Sequence, residues 1–180
     1  MTPRGITLYA AMSVDGYLAD VEGGVGWLEP FETAAEGDDG GYSAFFETVD
    51  CLVMGSVTYE LVLGFGEWPY GDTPTYVFTG RTLPAATEAV QFVDRPVGGF
   101  APELRREYDH VWLVGGAALA RSFLRADQVD RLRLSFVPVL LGEGIPLFSG
   151  GYDGRELKLI DVTTRDSGIV EHQYEVASEA

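Results

Sequence analysis

The chain is poor in cysteine, histidine and basic residues, and each shortage removes a class of function. One cysteine, Cys51, rules out an internal disulfide framework. With His110 and His172 far apart in the sequence, the chain offers no zinc-ligand spacing, so no metal site is expected. Only 12 basic residues stand against 28 acidic ones, and the net charge of −16 excludes nucleic acid and anionic membrane as partners. No apolar run approaches the roughly 20 residues needed to span a bilayer. The start, "MTPRGITLYAAMSVDG", lacks the apolar core and cleavage site of a signal peptide, which makes a cytoplasmic protein the expectation.

What is present is a substantial core. A hydrophobic content of 46% and an aromatic content of 12% exclude disorder in a chain of 180 residues. One domain of this size buries roughly 70% of its unfolded surface. Short apolar runs at 5–12, 51–54, 75–78, 90–93 and 111–114 read as buried strands. Helical patterns fall at 42–49, 57–63, 102–107 (with Pro102 in its first turn) and 117–125. In the last of these, Leu119 with Phe123 and Ala120 with Leu124 form i,i+4 apolar pairs. The last third, with 130–139, 155–164 and 168–177, alternates partially and suits antiparallel strands. The stretch 21–41, "VEGGVGWLEPFETAAEGDDGG", reads as a long loop, either a lid or a disordered connection.

Three junctions at strand ends contain no acid: "CLVMGSVTY" (51–59), "PTYVFTGRTLPAAT" (74–87) and "VWLVGGAALARSFLRA" (111–126). Gly55, Ser56 and Thr58 offer hydroxyls and free N–H groups at a helix start. Thr79, Gly80, Arg81 and Thr82 form a hydroxyl and guanidinium cluster suited to phosphate. Gly115 and Gly116 precede a helix whose first turn carries no carboxylate. Strand-to-helix turns often contain such residues for plain structural reasons, yet three of them along one sheet edge describe a site for an extended polyanion. The spacing is not G-x-G-x-x-G and no ribose-binding acid follows, so a Rossmann site is disfavoured.

Six segments carry a family resemblance: "ITLYAAMSVDGYLA" (6–19), "DCLVMGSVTYE" (50–60), "TYVFTGRTLP" (75–84), "VWLVGGAALARSFL" (111–124), "DRLRLSFVPVLLGEGIPLF" (130–148) and "EHQYEV" (171–176). In this order they resemble the dihydrofolate reductase superfamily, and more closely its branch shared with the pyrimidine reductases of riboflavin biosynthesis. The resemblance implies one α/β domain over residues 1–180, three-layered, with a mostly parallel central sheet and antiparallel C-terminal strands. It also implies NADPH bound in extended form across the strand ends, and a homodimer.

By that resemblance, Ala11 holds the nicotinamide carboxamide through its backbone, and Leu18 and Ala19 form the loop over the ring. Gly55, Ser56 and Thr58 match the pyrophosphate turn, while Thr79, Gly80 and Arg81 sit where the 2′-phosphate is read. Val114, Gly115, Gly116, Ala117, Ala118 and Leu119 give the close approach of backbone to cofactor, and a cis peptide often joins the glycine pair in this family. Asp15 is the leading polar candidate beside the substrate, and Ser135 matches a hydroxyl at the nicotinamide end. Trp27, Asp39, Gly142 and Glu143 are the substrate-side candidates. Gly142, Glu143 and Gly144 equally suit a plain turn between strands, Asp15 and Gly16 a plain turn, Ser135 a satisfied strand hydroxyl, and Trp27 an ordinary buried position.

One feature departs from the dihydrofolate reductases. Their helix carboxylate corresponds to a place near Gly41 and Tyr42 in "GDDGGYSAFFETVD", with Asp38 and Asp39 just upstream and not aligned. The expected activity is therefore NADPH-dependent reduction of a small heterocycle of the 5-amino-6-(5-phosphoribosylamino)uracil type, with a bound water as an alternative proton donor. Reduction of dihydrofolate and a non-catalytic NADPH-binding sensor are the alternatives. The Cys/His signature of the deaminase often fused to the riboflavin reductase is absent. His172 reads as structural and Cys51 as a small buried residue.

Overall fold

The computed structural model describes residues 4–32 and 39–177; Asp38 lies outside the described residues. Eight strands form one sheet in the order β5-β4-β3-β6-β1-β7-β10-β9. They are β1 (Gly5–Ser13), β3 (Cys51–Gly55), β4 (Thr75–Phe78), β5 (Val90–Val93), β6 (His110–Gly115), β7 (Arg131–Val137), β9 (Leu157–Thr164) and β10 (Val170–Val176). Between them run α1 (Glu29–Glu32), α2 (Tyr42–Phe46), α3 (Ser56–Gly64), α4 (Val97–Glu107) and α5 (Ala117–Arg125). The architecture is α/β, with a mostly parallel central sheet and antiparallel strands at its C-terminal side.

The run "CLVM" is apolar at every position because β3 is covered on both faces. Cys51 and Val53 join the cluster under α4 and α5, whereas Leu52 and Met54 join the one under α2 and α3. β1 divides in the same way: Ile6, Leu8, Ala10 and Met12 meet the first cluster and Tyr9 the second. Cys51 is fully buried, and burial pushes its thiol well above the usual range. No helix among the described residues is long and apolar enough to cross a membrane.

Three expectations change. The helix expected at 102–107 begins at Val97, so Pro102 lies inside α4 rather than in its first turn. Its buried stripe, Val97, Phe100, Ala101 and Leu104, explains the earlier start, since those positions share one helical face. The helix expected at 42–49 ends at Phe46, where the Thr48 hydroxyl donates to the Phe45 carbonyl and competes with the helical ladder. Finally, β7 is parallel to β1, with Ala11 opposite Ser135, although its sequence suited an antiparallel strand. The helix α5 supplies the crossover that parallel pairing requires.

The sequence reading also missed a small second sheet, in which β2 (Tyr17–Ala19) pairs antiparallel with β8 (Ile145–Pro146). Its Leu18, Ala19 and Ile145 face one cavity together with Gly55 and Gly116, at the ends of β3 and β6.

Candidate functional site

Two helices begin where parallel strands end. β3 enters α3 through Gly55, and β6 enters α5 through Gly116, both in extended conformation. Neither helix has a side-chain cap or an acid in its first turn. Their leading N–H groups, from Ser56, Val57 and Thr58 in α3 and from Ala117, Ala118 and Leu119 in α5, therefore have no partner within the helix. Both positive helix ends favour an anion.

The two ends nearly touch. A Cβ on Gly55 would lie 3.9 Å from the Gly115 carbonyl oxygen and the Gly116 nitrogen. One on Gly116 would come within 3.2 Å of Thr58 Oγ1 and 4.0 Å of Leu18 Cδ2. The Gly115-Gly116 peptide is cis, and Gly115 has a φ of +122°, which side-chain-bearing residues rarely adopt.

These elements enclose a cavity of about 560 Å³. Its floor is Gly55, Ser56 and Thr58 from one turn and Val114, Gly116, Ala117, Ala118 and Leu119 from the other. Leu18, Ala19, Val25 and Ile145 form an apolar roof. The roof is tied down by the pairing of Ala19 with Ile145 and by the Leu147 amide donating to the Gly16 carbonyl at 3.1 Å. Gly144 permits this closeness, because a Cβ there would overlap the Ala19 carbonyl oxygen.

Asp15 belongs to the same fastening. Its exposed carboxylate accepts from the Leu141 amide at 3.2 Å and the Gly142 amide at 2.8 Å. Hydrogen bonding from Ser13 and from those amides holds it below the usual carboxylate range. Glu143, next in the chain, is exposed. Trp27 sits in a 3-10 turn (Gly26–Leu28) with its indole Nε1 buried and without a partner among the described residues.

A second cavity, of about 570 Å³, adjoins the first through Phe78, Leu119 and Ser122 and is lined by Thr79, Gly80, Arg95 and Arg125. Asp94 also lines it. Arg81 is exposed just outside, its guanidinium 2.5 Å from Glu60 of α3, while its amide donates to Thr79 Oγ1 at 3.0 Å. The second junction is thus acid-free along the chain but not in space, where Glu60 and Asp94 approach it.

At the other side of β1, Ser135 lies between Ala11 and Glu171 in strand register. Glu171 is only 1% exposed. It accepts from Arg133 Nε at 2.8 Å and from Ser135 Oγ at 3.4 Å, and Arg165 stands 3.5 Å away. The Arg133 guanidinium covers the Tyr9 ring, 4.6 Å from its centroid. Burial first, then the Glu171 charge, raises the Tyr9 phenol above its ordinary range. Asp39 lies at the start of α2, where its carboxylate accepts from the amides of Gly41 and Ser43.

The structure therefore gathers Leu18, Ala19, Gly55, Ser56, Thr58, Val114, Gly116, Ala117, Ala118 and Leu119 around one cavity. It puts Thr79 and Gly80 in the adjoining one, Ala11 beside Ser135, and Asp15 on the Gly142 turn. Glu171 was missed. Its signal was present: Arg131 and Arg133, and Glu171 and Glu175, recur at even spacing on neighbouring strands, as cross-strand charge pairs do. Among the described residues, no group of three or more His, Cys, Asp or Glu side chains is placed to hold a metal ion.

Comparisons with known proteins agree with this architecture. The family model of the RibD C-terminal domain matches residues 102–171. The uncharacterized protein YwjB of Bacillus subtilis is 40% identical over 147 residues, which is 81% of this chain and 83% of that protein. The crystal structure of a putative riboflavin biosynthesis protein from Shewanella sp. PV-4 superposes with a TM-score of 0.85 at 26% identity, covering 97% of this chain and 99% of that one. A diaminohydroxyphosphoribosylaminopyrimidine deaminase/5-amino-6-(5-phosphoribosylamino)uracil reductase from Thermotoga maritima shares the fold, with a TM-score of 0.71 at 17% identity over 97% of this chain and 57% of that one. The chain belongs to the RibD C-terminal domain family, a riboflavin-biosynthesis reductase-like branch of the dihydrofolate reductase-like superfamily.

Proposed function

We propose that this chain is an NADPH-dependent reductase of a small heterocyclic substrate of the 5-amino-6-(5-phosphoribosylamino)uracil type. The observation that carries the proposal is the pair of uncapped helix N-termini, of α3 and α5, facing one cavity with an apolar roof. Such a cavity suits a diphosphate flanked by flat rings: the backbone N–H groups take the charge, and Leu18, Phe78 and Leu119 take the rings. NADPH would supply the hydride. The chain's own residues bind, orient and exclude water. Ala11 presents backbone to the nicotinamide end, the β2–β8 roof closes over it, and Thr79, Gly80 and Arg81 read the 2′-phosphate.

On the substrate side, Ser135 has its hydroxyl hydrogen directed to Glu171 and also meets the Tyr9 phenol, which leaves one lone pair to accept from a substrate N–H. Asp15 holds the Gly142–Glu143 turn over the substrate, and Trp27 offers its buried indole N–H. Asp39 is committed to the start of α2, where a dihydrofolate reductase would need a carboxylate facing the substrate. That disfavours dihydrofolate.

A cytoplasmic location and a homodimer belong to the same proposal. β9 is exposed at every position and carries Leu157, Leu159 and Val162, which a second copy would cover. Light scattering on a sizing column tests the dimer, and a monomer at micromolar concentration refutes it.

Fluorescence titration with NADPH and NADH tests the cofactor. Tighter binding of NADPH is expected, and Arg81→Ala should remove most of that preference. Equal affinity for the two cofactors, or binding of neither, overturns the proposal. Turnover of the aminopyrimidine ribosyl phosphate by the NADPH-loaded protein tests the substrate. NADPH binding without turnover would favour the sensor reading, and turnover of dihydrofolate alone would reverse the substrate assignment.

A further inference from the structure

A third cavity shares no lining residue with the first and adjoins the Glu171 cluster through Arg133. It has a volume of about 260 Å³ and sits between α2 and the face of β1, β7, β10 and β9. Phe45, Leu132, Ile160 and Tyr174 give it apolar walls. Arg131, Arg133 and Gln173 give it polar groups.

The electrostatics of this cavity are unusual for a chain with a net charge of −16. Two arginines line it and no carboxylate does. Arg133 is already neutralised by Glu171, so the uncompensated charge in the cavity is that of Arg131. Glu171 is bonded to Arg133 Nε, on the side towards Ser135. Glu175 stands opposite Arg131 in strand register, yet the Arg131 guanidinium has no hydrogen bond or ion pair with any described residue. Arg131 is half-buried, so an unpaired guanidinium there forfeits part of its hydration without a protein partner in return. Thr7 and Thr48 also line the cavity, but both hydroxyls are taken by the His110 ring, at 2.9 and 3.1 Å. The free donors are therefore the Arg131 fork and what Arg133 and Gln173 have to spare.

We propose that this cavity is a binding site for a small organic anion, with a carboxylate or phosphate head on the Arg131 guanidinium and an apolar body between Phe45, Ile160 and Tyr174. The guanidinium fork matches either head group through two parallel N–H···O bonds. The volume lies below the range of about 300–1,000 Å³ that holds drug-sized ligands, so the occupant is no larger than a substituted ring. A dinucleotide is excluded on size.

Calorimetric titration of the full chain with benzoate, phenyl phosphate, inorganic phosphate and benzyl alcohol tests the proposal. Benzoate or phenyl phosphate is expected to bind and benzyl alcohol not to; binding of inorganic phosphate as tight as phenyl phosphate would show that the apolar walls do nothing and would overturn the organic part. Arg131→Gln should weaken benzoate by about tenfold or more, the loss expected for one charge-assisted pair, and leave NADPH affinity unchanged. Ile160→Trp supplies a second variant that keeps the arginine: it changes an exposed position of the edge strand and fills the cavity mouth, and it too should abolish benzoate binding. Equal binding of benzyl alcohol, benzoate affinity unaltered in both variants, or displacement of benzoate by NADPH would each overturn the assignment.

Discussion

Replacing Gly55 by alanine separates ligand binding from stability. Gly55 has a φ of −82° and a ψ of 166°, which alanine adopts without strain. The nearest atoms to the added methyl, the Gly115 oxygen, the Gly116 nitrogen and Leu119 Cβ, stand at 3.9 Å, an ordinary van der Waals distance. Reduced freedom of the unfolded chain should stabilise the variant by about 0.4–1 kcal/mol. Alanine is a poorer N-cap than glycine by a comparable amount, so the two effects nearly cancel. The melting temperature should stay within about 4 °C of the parent.

Binding should behave otherwise, because the methyl occupies the space between the two helix ends, where the proposed diphosphate meets bare backbone. Loss of one charge-assisted contact costs about 1.5–3 kcal/mol, a rise in Kd of roughly 10- to 150-fold for NADPH. Fluorescence titration gives the affinity and a thermal melt gives the stability on the same sample. An NADPH affinity within twofold of the parent, with the melting temperature unchanged, would refute the placement of the diphosphate.

Three further outcomes follow from the geometry. Glu60→Gln releases the Arg81 guanidinium from an exposed ion pair; NADPH should bind more tightly and NADH unchanged, with the melting temperature hardly moved, and weaker NADPH binding would count against Arg81 as the 2′-phosphate reader. Glu171→Leu leaves Arg133 and Arg165, both largely buried, without their shared carboxylate; urea unfolding should show a loss of about 3–5 kcal/mol, and a loss below about 1 kcal/mol would mean that the cluster is not a buried ionic network. His110 is fully buried and burial lowers its pKa, so the unfolded state binds the proton more readily; the stability this group contributes is complete above about pH 6.5 and falls as the pH drops through that value towards the folded pKa. Melting temperatures taken at pH 8 and pH 5.5 for the parent and His110→Gln should show the steeper acid loss in the parent, and identical slopes would remove His110 from the account.

The parts of the site built from backbone were the legible ones. Gly55, Ser56, Gly116 and Ala117 announce themselves because a strand that ends in glycine and a helix that starts without an acid are local facts of sequence. Arg81 was legible only by half: its basic neighbourhood reads as free along the chain, but α3 brings Glu60 to it from 21 residues earlier, which residues 74–87 alone do not reveal. Asp15 shows the same limit, since its partners Leu141 and Gly142 lie more than a hundred residues on. The small β2–β8 sheet was invisible because its strands are too short for any period to register. The early start of α4 was hidden by Gly98 and Gly99, weak helix formers kept in the helix by the burial of Val97 and Phe100 on either side.

The position of β1 has a consequence for how the protein forms. Gly5 pairs with His110 on one side and Thr7 with Arg131 on the other, so the central strand leaves the ribosome long before either neighbour exists. Until then an apolar strand has two open edges, and closing the sheet requires loops of over a hundred residues on both sides. Such a topology folds slowly and only after most of the chain has been synthesised. β1 is therefore the segment that a nascent-chain chaperone would have to shield, and the one whose pairing should set the pace of refolding from denaturant.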